Sequence, residues 1–308
     1  MSIFEAAGVP ANQTEGTNEA PGETAVFVEY YTDPLCSWSW AFEAQWRYLR
    51  YLCAGRLKWR YRMGGLLADW HSYHDPFNDI SKPSQVAPQW FQVCAISGMP
   101  LDEQIWNQDP PDSSYPACLA VKAAERQGQE VTEEYLRRLR EAVMIERRNI
   151  ARQDILLAVA QEMVRSSRVG KSFDLDRFHE DLASVEALEA FRQDLRDAAY
   201  YGIGRFPTLI LYRSDGRGII LVGYRPFNAL GAALEYFVPG VLRKPEGSPE
   251  EIAVAYVKYW QRVIARELIE VYGGDSDQAS LLLDSLVARG TLVLANAQSS
   301  QAPIYIAA

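Results

Sequence analysis

An apolar, β-branched run, Val26-Phe27-Val28 followed by Tyr30-Tyr31, leads into Asp33-Pro34-Leu35-Cys36-Ser37-Trp38-Ser39-Trp40, and a long amphipathic run comes after it. Strand, tight proline turn and helix in that order place Cys36 at or beside a helix N-terminus. Unpaired backbone N–H groups and the positive end of the helix dipole favour an anion there. For a cysteine that anion is the thiolate, and a helix N-terminus lowers a thiol pKa below its free value. Phe42, Trp46, Leu49 and Cys53 mark the helix, spaced four, three and four residues apart on one face. Of the four cysteines only Cys36 has an activating context of this kind. The competing reading of a free cysteine is a small buried hydrophobe.

The rest of the composition narrows what this unit belongs to. Within 308 residues, 48% hydrophobic and 12% aromatic, there is ample material for a packed core. No apolar run approaches the roughly 18 residues of a membrane span. A net charge of -9 argues against a nucleic-acid backbone as partner. The four cysteines form neither a disulfide framework nor a zinc spacing. The first 25 residues contain no Lys or Arg, carry four Glu and lack an apolar middle. They read as a solvated, disordered tail rather than a secretory signal. The expected location is the cytoplasm, where thiols stay reduced.

The spacing predicts a strand over about 25–31, a helix over about 35–53 stopped by Ala54-Gly55, and an alternating strand at Leu57–Met63. A strand–helix–strand unit of this size is normally a right-handed parallel crossover. From about Pro83 to Tyr200 the chain reads as helices, with faces such as Val86, Trp90, Val93 and Cys94, or Val131, Tyr135, Leu139 and Val143. The charge run from Glu133 to Arg148 reads as a solvated helix face. Strand character resumes at Thr208–Tyr212, and the turn Ser214–Gly216 joins it to Gly218–Val222 as an antiparallel hairpin. Pro226 then opens a helix to about Phe237.

The result is β-α-β, helical block, β-β-α: a small α/β unit (25–82 and 201–240) interrupted by a helical insertion (83–200). After a Pro/Gly/Ser linker, residues 249–308 read as an appendage. It holds a helix of about 22 residues through Ile252 and Val271, a shorter helix, and a hairpin of Thr291–Leu294 with Ile304–Ile306. Helix, helix, hairpin is also a winged-helix pattern, but four Lys/Arg against seven Asp/Glu favour packing or partner contact over DNA.

A further landmark is Gly204-Arg205-Phe206-Pro207-Thr208. Proline is tolerated as a strand's first residue, and an X-Pro bond takes the cis form at modest cost. A cis peptide turns the Phe206 carbonyl toward a site; a trans proline merely starts the strand. The order strand, Asp-Pro-Leu-Cys-X-X-Ser, helix, strand, helical insertion, Phe-Pro-Thr, hairpin, helix resembles the DsbA-like branch of the thioredoxin superfamily. More closely it resembles cytosolic bacterial FrnE-like and YjbH/SpxH-like members, whose first motif often reads Asp-Pro-Leu-Cys-X-X-Cys. The resemblance covers about residues 25–240, and the appendage is similar to that of the latter group.

The resemblance implies a thioredoxin-like α/β sheet with a large helical insertion and a small C-terminal α/β appendage. It makes Cys36 the attacking thiolate, with Ser39 beside it and Pro207 a cis-proline facing it. Pro34, Ser37, Trp38, Phe206 and Thr208 are then expected to hold an extended peptide or thiol ligand. The insertion helix beginning near Ser113-Ser114-Tyr115-Pro116 is expected to line the same groove through Ser114 and Tyr115.

Ser39 departs from the dithiol pattern. A hydroxyl stabilises a thiolate by hydrogen bonding, but it cannot take up a disulfide. Cys36 can still attack a disulfide, since exchange needs a thiolate and access; release then calls on an outside thiol or another cysteine. Cys53 lies 17 residues along the same helix, about 25 Å away. Cys94 sits on an apolar face. Cys118 lies on a helix that starts beside the expected groove and is the candidate resolving thiol, against a default of buried packing.

Three functions follow, in this order. The first is one-cysteine thiol chemistry on mixed disulfides, including isomerisation or a glutathione-linked reaction. The second is an adaptor that keeps the groove and binds a protein client, as SpxH-like relatives serve proteases. The third is a kappa-type glutathione transferase or isomerase. No bound cofactor is expected; glutathione or another small thiol is a conceivable co-substrate. The partner is a protein or peptide, with neither nucleic acid nor membrane. His71 and His74 read as a surface loop rather than a metal site. Ser39→Cys is expected to create general disulfide reductase or oxidase activity, measured by turnover alongside the pH dependence of Cys36 alkylation. An inert Ser39→Cys with an unreactive Cys36 overturns the inferred geometry.

Overall fold

The structure, a computed structural model, describes residues 2–5, 26–76, 78–273, 275–295 and 302–308. Five strands, β1 (Ser2–Glu5), β2 (Val26–Thr32), β3 (Leu57–Met63), β4 (Thr208–Arg213) and β5 (Arg217–Val222), form one sheet in the order β1-β5-β4-β2-β3. β2 and β3 are parallel, joined by α1 (Ser37–Ala41) and α2 (Glu43–Cys53). β4 runs antiparallel to both β2 and β5, so the predicted crossover and hairpin are both present. β2 is buried along almost its whole length, as a strand covered on both faces must be.

Two expectations about the first half of the chain change. Ser2–Glu5 pairs antiparallel with β5 instead of lying in a solvated tail, because β5 otherwise presents an open edge. The remainder of the expected tail, residues 1 and 6–24, lies outside the described residues. The expected single helix divides at Phe42 into α1 and α2, yet Trp46 N–H still donates to the Phe42 carbonyl at 2.9 Å. The predicted apolar face survives the division: Phe42, Trp46, Leu49 and Cys53 are all buried. Ala54 (φ 47) and Gly55 (φ 85) end α2 in the left-handed region.

The insertion comprises α3 (Val86–Ser97), α4 (Ile105–Gln108), α5 (Tyr115–Glu125), α6 (Gln129–Met144), α7 (Gln153–Ser166), α8 (Leu175–Leu182) and α9 (Val185–Tyr200). α10 (Phe227–Phe237) returns across the sheet and buries Leu230, Leu234 and Phe237. The C-terminal segment holds α11 (Pro249–Trp260), β6 (Arg262–Val263), α12 (Ala265–Tyr272), α13 (Ser276–Ala288), β7 (Leu292–Leu294) and β8 (Tyr305–Ala307). Its sheet runs β6-β8-β7. The expected 22-residue helix is broken at Gln261, whose φ of 63 is left-handed, so β6 intervenes before α12. Helix, strand, helix, helix, hairpin is a winged-helix order, although α13 carries no Lys or Arg. The segment packs on Tyr48 and Leu52 of α2 through Tyr256, Val257, Leu268 and Leu283.

The charge run on α6 is not a solvated face. Arg137, Arg140 and Glu141 are buried and join α2 to the C-terminal segment. Glu267 of α12 lies between Arg47 of α2 (2.5 Å) and Arg137 (3.0 Å). Arg137 also pairs with Glu141 (2.7 Å), Glu141 with Arg262 (2.6 Å), and Arg140 with Glu43 of α2 (2.5 Å). Buried charges are tolerated when they are paired and hydrogen-bonded, and the seven groups here pair with one another across three parts of the chain, with Arg140 Nε left without a partner among the described residues. Burial opposes the charge on Glu141, but Arg262, Arg137 and Arg138 hold its carboxyl well below the usual range. Its contribution to stability is therefore present above the ordinary carboxylate value and lost as the pH falls below it. Glu141→Gln is expected to lower stability by about 3–5 kcal/mol. Urea unfolding followed by circular dichroism and tryptophan fluorescence should show one coincident transition, at a lower midpoint.

Candidate functional site

Cys36 is the N-cap residue of α1, and Trp40 N–H donates to its carbonyl at 3.0 Å. The turn that carries it is organised by Asp33, which is fully buried. Asp33 Oδ1 accepts from Leu35 N–H (2.8 Å), and the Asp33 carbonyl accepts from Cys36 N–H (3.2 Å). Asp33 Oδ2 gathers three donors: Leu66 N–H (2.7 Å), Ser114 Oγ (2.8 Å) and Cys118 Sγ (3.2 Å). One carboxylate thus fixes the motif to the loop after β3 and to α5.

Opposite the motif, the Phe206–Pro207 peptide is cis. The Cys36 thiol donates to the Phe206 carbonyl, with sulfur and oxygen 3.6 Å apart. Gly223 N–H donates to the Pro207 carbonyl at 2.7 Å and holds this turn against the end of β5. The Phe206 ring lies directly on Gly64, where an added Cβ would come within 2.0 Å of it. Only glycine permits that approach.

The two turns face a cavity of about 800 Å³. Cys36, Ser37 and Trp38 line one side, and Gly204, Arg205 and Phe206 another. The loop after β3 closes over it with Trp70, Tyr73 and His74, while Val86, Gln89 and Trp90 come from α3. Edge-to-face aromatic contacts build the wall: Trp70–Tyr73 at 5.3 Å, Trp70–Trp106 at 6.1 Å and Trp90–Trp106 at 5.3 Å. Tyr224 stands at the rim, 5.6 Å from the Trp38 ring, and its hydroxyl accepts from Gln45.

Burial pushes the Cys36 thiol up from its ordinary value; the Ser39 hydroxyl and amide and the Arg140 guanidinium pull against that, and Asp33 adds to it. The expected lowering by a helix N-terminus is outweighed, because α1 has only five residues and Cys36 is 5% exposed. With the thiol protonated and bonded to Phe206, the buried Ser39 hydroxyl has no hydrogen-bond partner among the described residues. Burial also raises Asp33, against the hydrogen bonds it accepts. Cys118 is raised well above a normal thiol by burial and by Asp33, and Cys53 is raised to about 12, chiefly by burial.

Of the residues expected in the groove, Cys36, Ser37, Trp38 and Phe206 line the cavity, and Ser39 lies beneath Cys36. The rest sit differently. Pro34, Pro207 and Thr208 belong to the two turns but are not among the residues lining the cavity, and Thr208 donates to the Arg205 carbonyl at 2.7 Å. Ser114 is buried on Asp33, and Tyr115 packs on Gly65 and Phe191, so the insertion's share of the lining comes from α3 and Trp106 instead. Cys118, the candidate resolving thiol, is fully buried with its sulfur on Asp33, and Cys94 is half-buried. Asp33, Arg140, Gly64 and Tyr224 were not foreseen. Asp33 stands inside the quoted motif, so its position was visible although its partners were not. Among the described residues no group of three or more His, Cys, Asp or Glu is placed to hold a metal ion, and no helix is long and apolar enough to cross a membrane.

A cysteine at a helix cap facing a cis-proline turn, on a sheet interrupted by helices, is the arrangement of a DsbA-like thioredoxin fold. A family model described as thioredoxin matches residues 30–231. The cytosolic disulfide reductase DsbM of Pseudomonas aeruginosa shares the fold with a TM-score of 0.54 at 23% identity, over 69% of this chain and 98% of that one. The chain belongs to the thioredoxin superfamily, in its SpxH branch. It is 30% identical to the ClpXP adapter protein SpxH of Halalkalibacterium halodurans over 87% of this chain and 85% of that protein. Against SpxH of Bacillus subtilis the identity is 29%, over 83% and 80%.

A raised thiol pKa means that the folded protein holds the Cys36 proton more tightly than the unfolded chain. Its contribution to stability is complete below the ordinary thiol value and fades as the pH rises toward the folded one. Iodoacetamide at pH 7.5 is expected to modify Cys36 at least about threefold more slowly in the native protein than in urea. The native rate should still be climbing above pH 9, where alkylation of an ordinary thiol levels off.

Proposed function

We propose that this chain is an adaptor, a thioredoxin-fold protein that binds a client polypeptide in the cytoplasm and presents it to a protease of the ClpXP kind. The observation that carries the reading is the serine at position 39. A self-contained disulfide exchanger needs a second thiol of its own to release its mixed disulfide, and here that position holds a hydroxyl while Cys118 is sealed against Asp33. What the site retains is an aromatic-walled groove beside a fixed, non-helical backbone turn. A groove of this kind suits capture of an extended segment of polypeptide. Relatives covering most of the chain are named as ClpXP adapters. This reverses the order of functions expected from the sequence, where thiol chemistry came first.

Thiol chemistry remains as a second reading, because Cys36 lines the groove and Ser39 faces its sulfur. In that case a small thiol such as glutathione acts as co-substrate and releases the mixed disulfide.

The two separate in one experiment: degradation by ClpXP in a bacterial extract, followed protein by protein with and without the chain, beside glutathione-dependent turnover of a mixed disulfide. The expected result is faster loss of at least one specific protein and no disulfide turnover. Gly204→Trp fills the groove from a position where an added Cβ meets nothing within 4 Å. It should weaken client binding by about tenfold or more, as loss of a binding hot spot does. Cys36-dependent disulfide turnover with unchanged protein lifetimes overturns the adaptor reading in favour of the second.

A further inference from the structure

We propose that Arg266 and Glu270 of α12 are positioning residues for the Cys36 groove: acting through Gln45, they hold Tyr224 against Trp38 at its mouth and so set the bulk of what can enter. The inference goes beyond the adaptor reading and does not rest on it.

The geometry begins at the rim. Trp38 and Tyr224 both line the cavity and both are half-buried, so they stand where it meets solvent. Their ring centroids are 5.6 Å apart, with the planes tilted by 44°. Trp38 belongs to α1, two residues beyond Cys36, whereas Tyr224 lies in the connection between β5 and α10. A tyrosine on such a connection can swing unless its hydroxyl is tethered. Here the tether is the side-chain amide of Gln45, 3.1 Å away.

Gln45 lies on α2 and is fully buried. Its amide nitrogen carries two N–H donors. That nitrogen donates to the Tyr224 hydroxyl and to Glu270 Oε1 on α12, 3.3 Å away. An ionised carboxylate only accepts, so Glu270 decides which way round the amide sits. The nitrogen faces the acid, and the remaining N–H is left for Tyr224. The same Glu270 oxygen accepts from Arg266, one turn earlier, at 2.7 Å. Arg266 Nε in turn donates to the Ser97 carbonyl at 2.5 Å. Ser97 ends α3, the helix that brings Val86, Gln89 and Trp90 to the cavity. The Arg266 stem lies on Gly98, where an added Cβ would come 2.9 Å from its Cδ. One acid of α12 therefore joins two sides of the groove, the rim at Tyr224 and the wall at α3.

This chain of polar groups is costly as packing. Gln45 Oε1 and Arg266 Nη1 are buried and have no hydrogen-bond partner among the described residues. A buried polar atom left unpaired destabilises a fold, whereas apolar groups of the same shape do not. Tyr48 and Leu52 already hold the C-terminal segment on α2 through Val257, Leu268 and Leu283. A polar link kept beside that apolar contact, and running to the mouth of the groove, serves position rather than stability.

The test uses one warhead in two sizes. N-ethylmaleimide and fluorescein maleimide are reacted with the full chain at one pH, and labelling of the Cys36 peptide is followed by mass spectrometry. The ratio of the two rates reports the width of the mouth, since the protonation of the thiol cancels. Near-ultraviolet circular dichroism confirms that each variant is folded. The wild-type protein should exclude the larger reagent. Tyr224→Phe keeps the ring and removes the tethered hydroxyl, and should raise the relative rate of the larger reagent by about two- to tenfold, as loss of one hydrogen bond does. Gln45→Leu should act in the same direction, and Glu270→Leu likewise but by less. Glu270→Gln still offers an acceptor and should keep most of the wild-type ratio. Adding Glu270→Leu to Tyr224→Phe should bring no further change, because both act on one link.

A wild-type protein that takes both reagents equally overturns the proposal. So does a folded Tyr224→Phe protein with the wild-type ratio, since the mouth is then not held there. Effects of Glu270→Leu and Tyr224→Phe that simply add overturn the link through α12. No client, protease or disulfide enters these measurements, so their failure leaves the adaptor reading to its own experiment.

Discussion

A single buried carboxylate, Glu267, holds this molecule's three parts in register. It accepts from Arg47 on the helix after the Cys36 motif, from Arg137 on the insertion, and from the Ile264 amide at the start of its own helix. A charge stripped of water is stabilised only by partners that satisfy all of its lone pairs at once. That demand makes the pairing directional in a way that apolar packing is not. The α2–α12 contact also has an apolar half, Tyr48 and Leu52 against Val257, Leu268 and Leu283. Burial drives the association, and the ion pairs select which way the segment faces.

The same tension between burial and charge governs the site. A thiol at a helix cap is normally read as activated, and here the cap is real. Yet α1 is too short to supply much dipole, the sulfur is almost sealed, and desolvation decides the direction of its pKa. Asp33, three residues earlier, is sealed as well and spends its lone pairs on two loops and a helix. The motif is in this sense a fastening before it is a reagent.

The features legible in the sequence were those whose causes are local. The parallel crossover, the hairpin of β4 and β5, the cap position of Cys36 and the proline turn before β4 each follow from a few adjacent residues. What stayed hidden depends on partners distant in the chain. The three donors on Asp33 Oδ2 come from 33, 81 and 85 residues away. The alternation of Glu and Arg on α6 looks the same whether the opposing surface is water or another set of charges. Only the arrival of Arg47, Arg262 and Glu267 distinguishes the two. The groove lining shows the same limit, since the start of α5 is taken up by Asp33 and α3 supplies the wall instead.

Gln261 adopts a left-handed backbone in the middle of an apolar pattern that would otherwise continue as one rod. An unbroken helix would carry position 267 about 10 Å beyond the end of α11 along the same axis. The kink folds the following turns back instead, so that an acid of α12 drops into a slot between two arginines. The handedness of one residue thus sets the polarity of the whole carboxy-terminal lobe, much as the bit of a key must be cut on the correct side of its shaft.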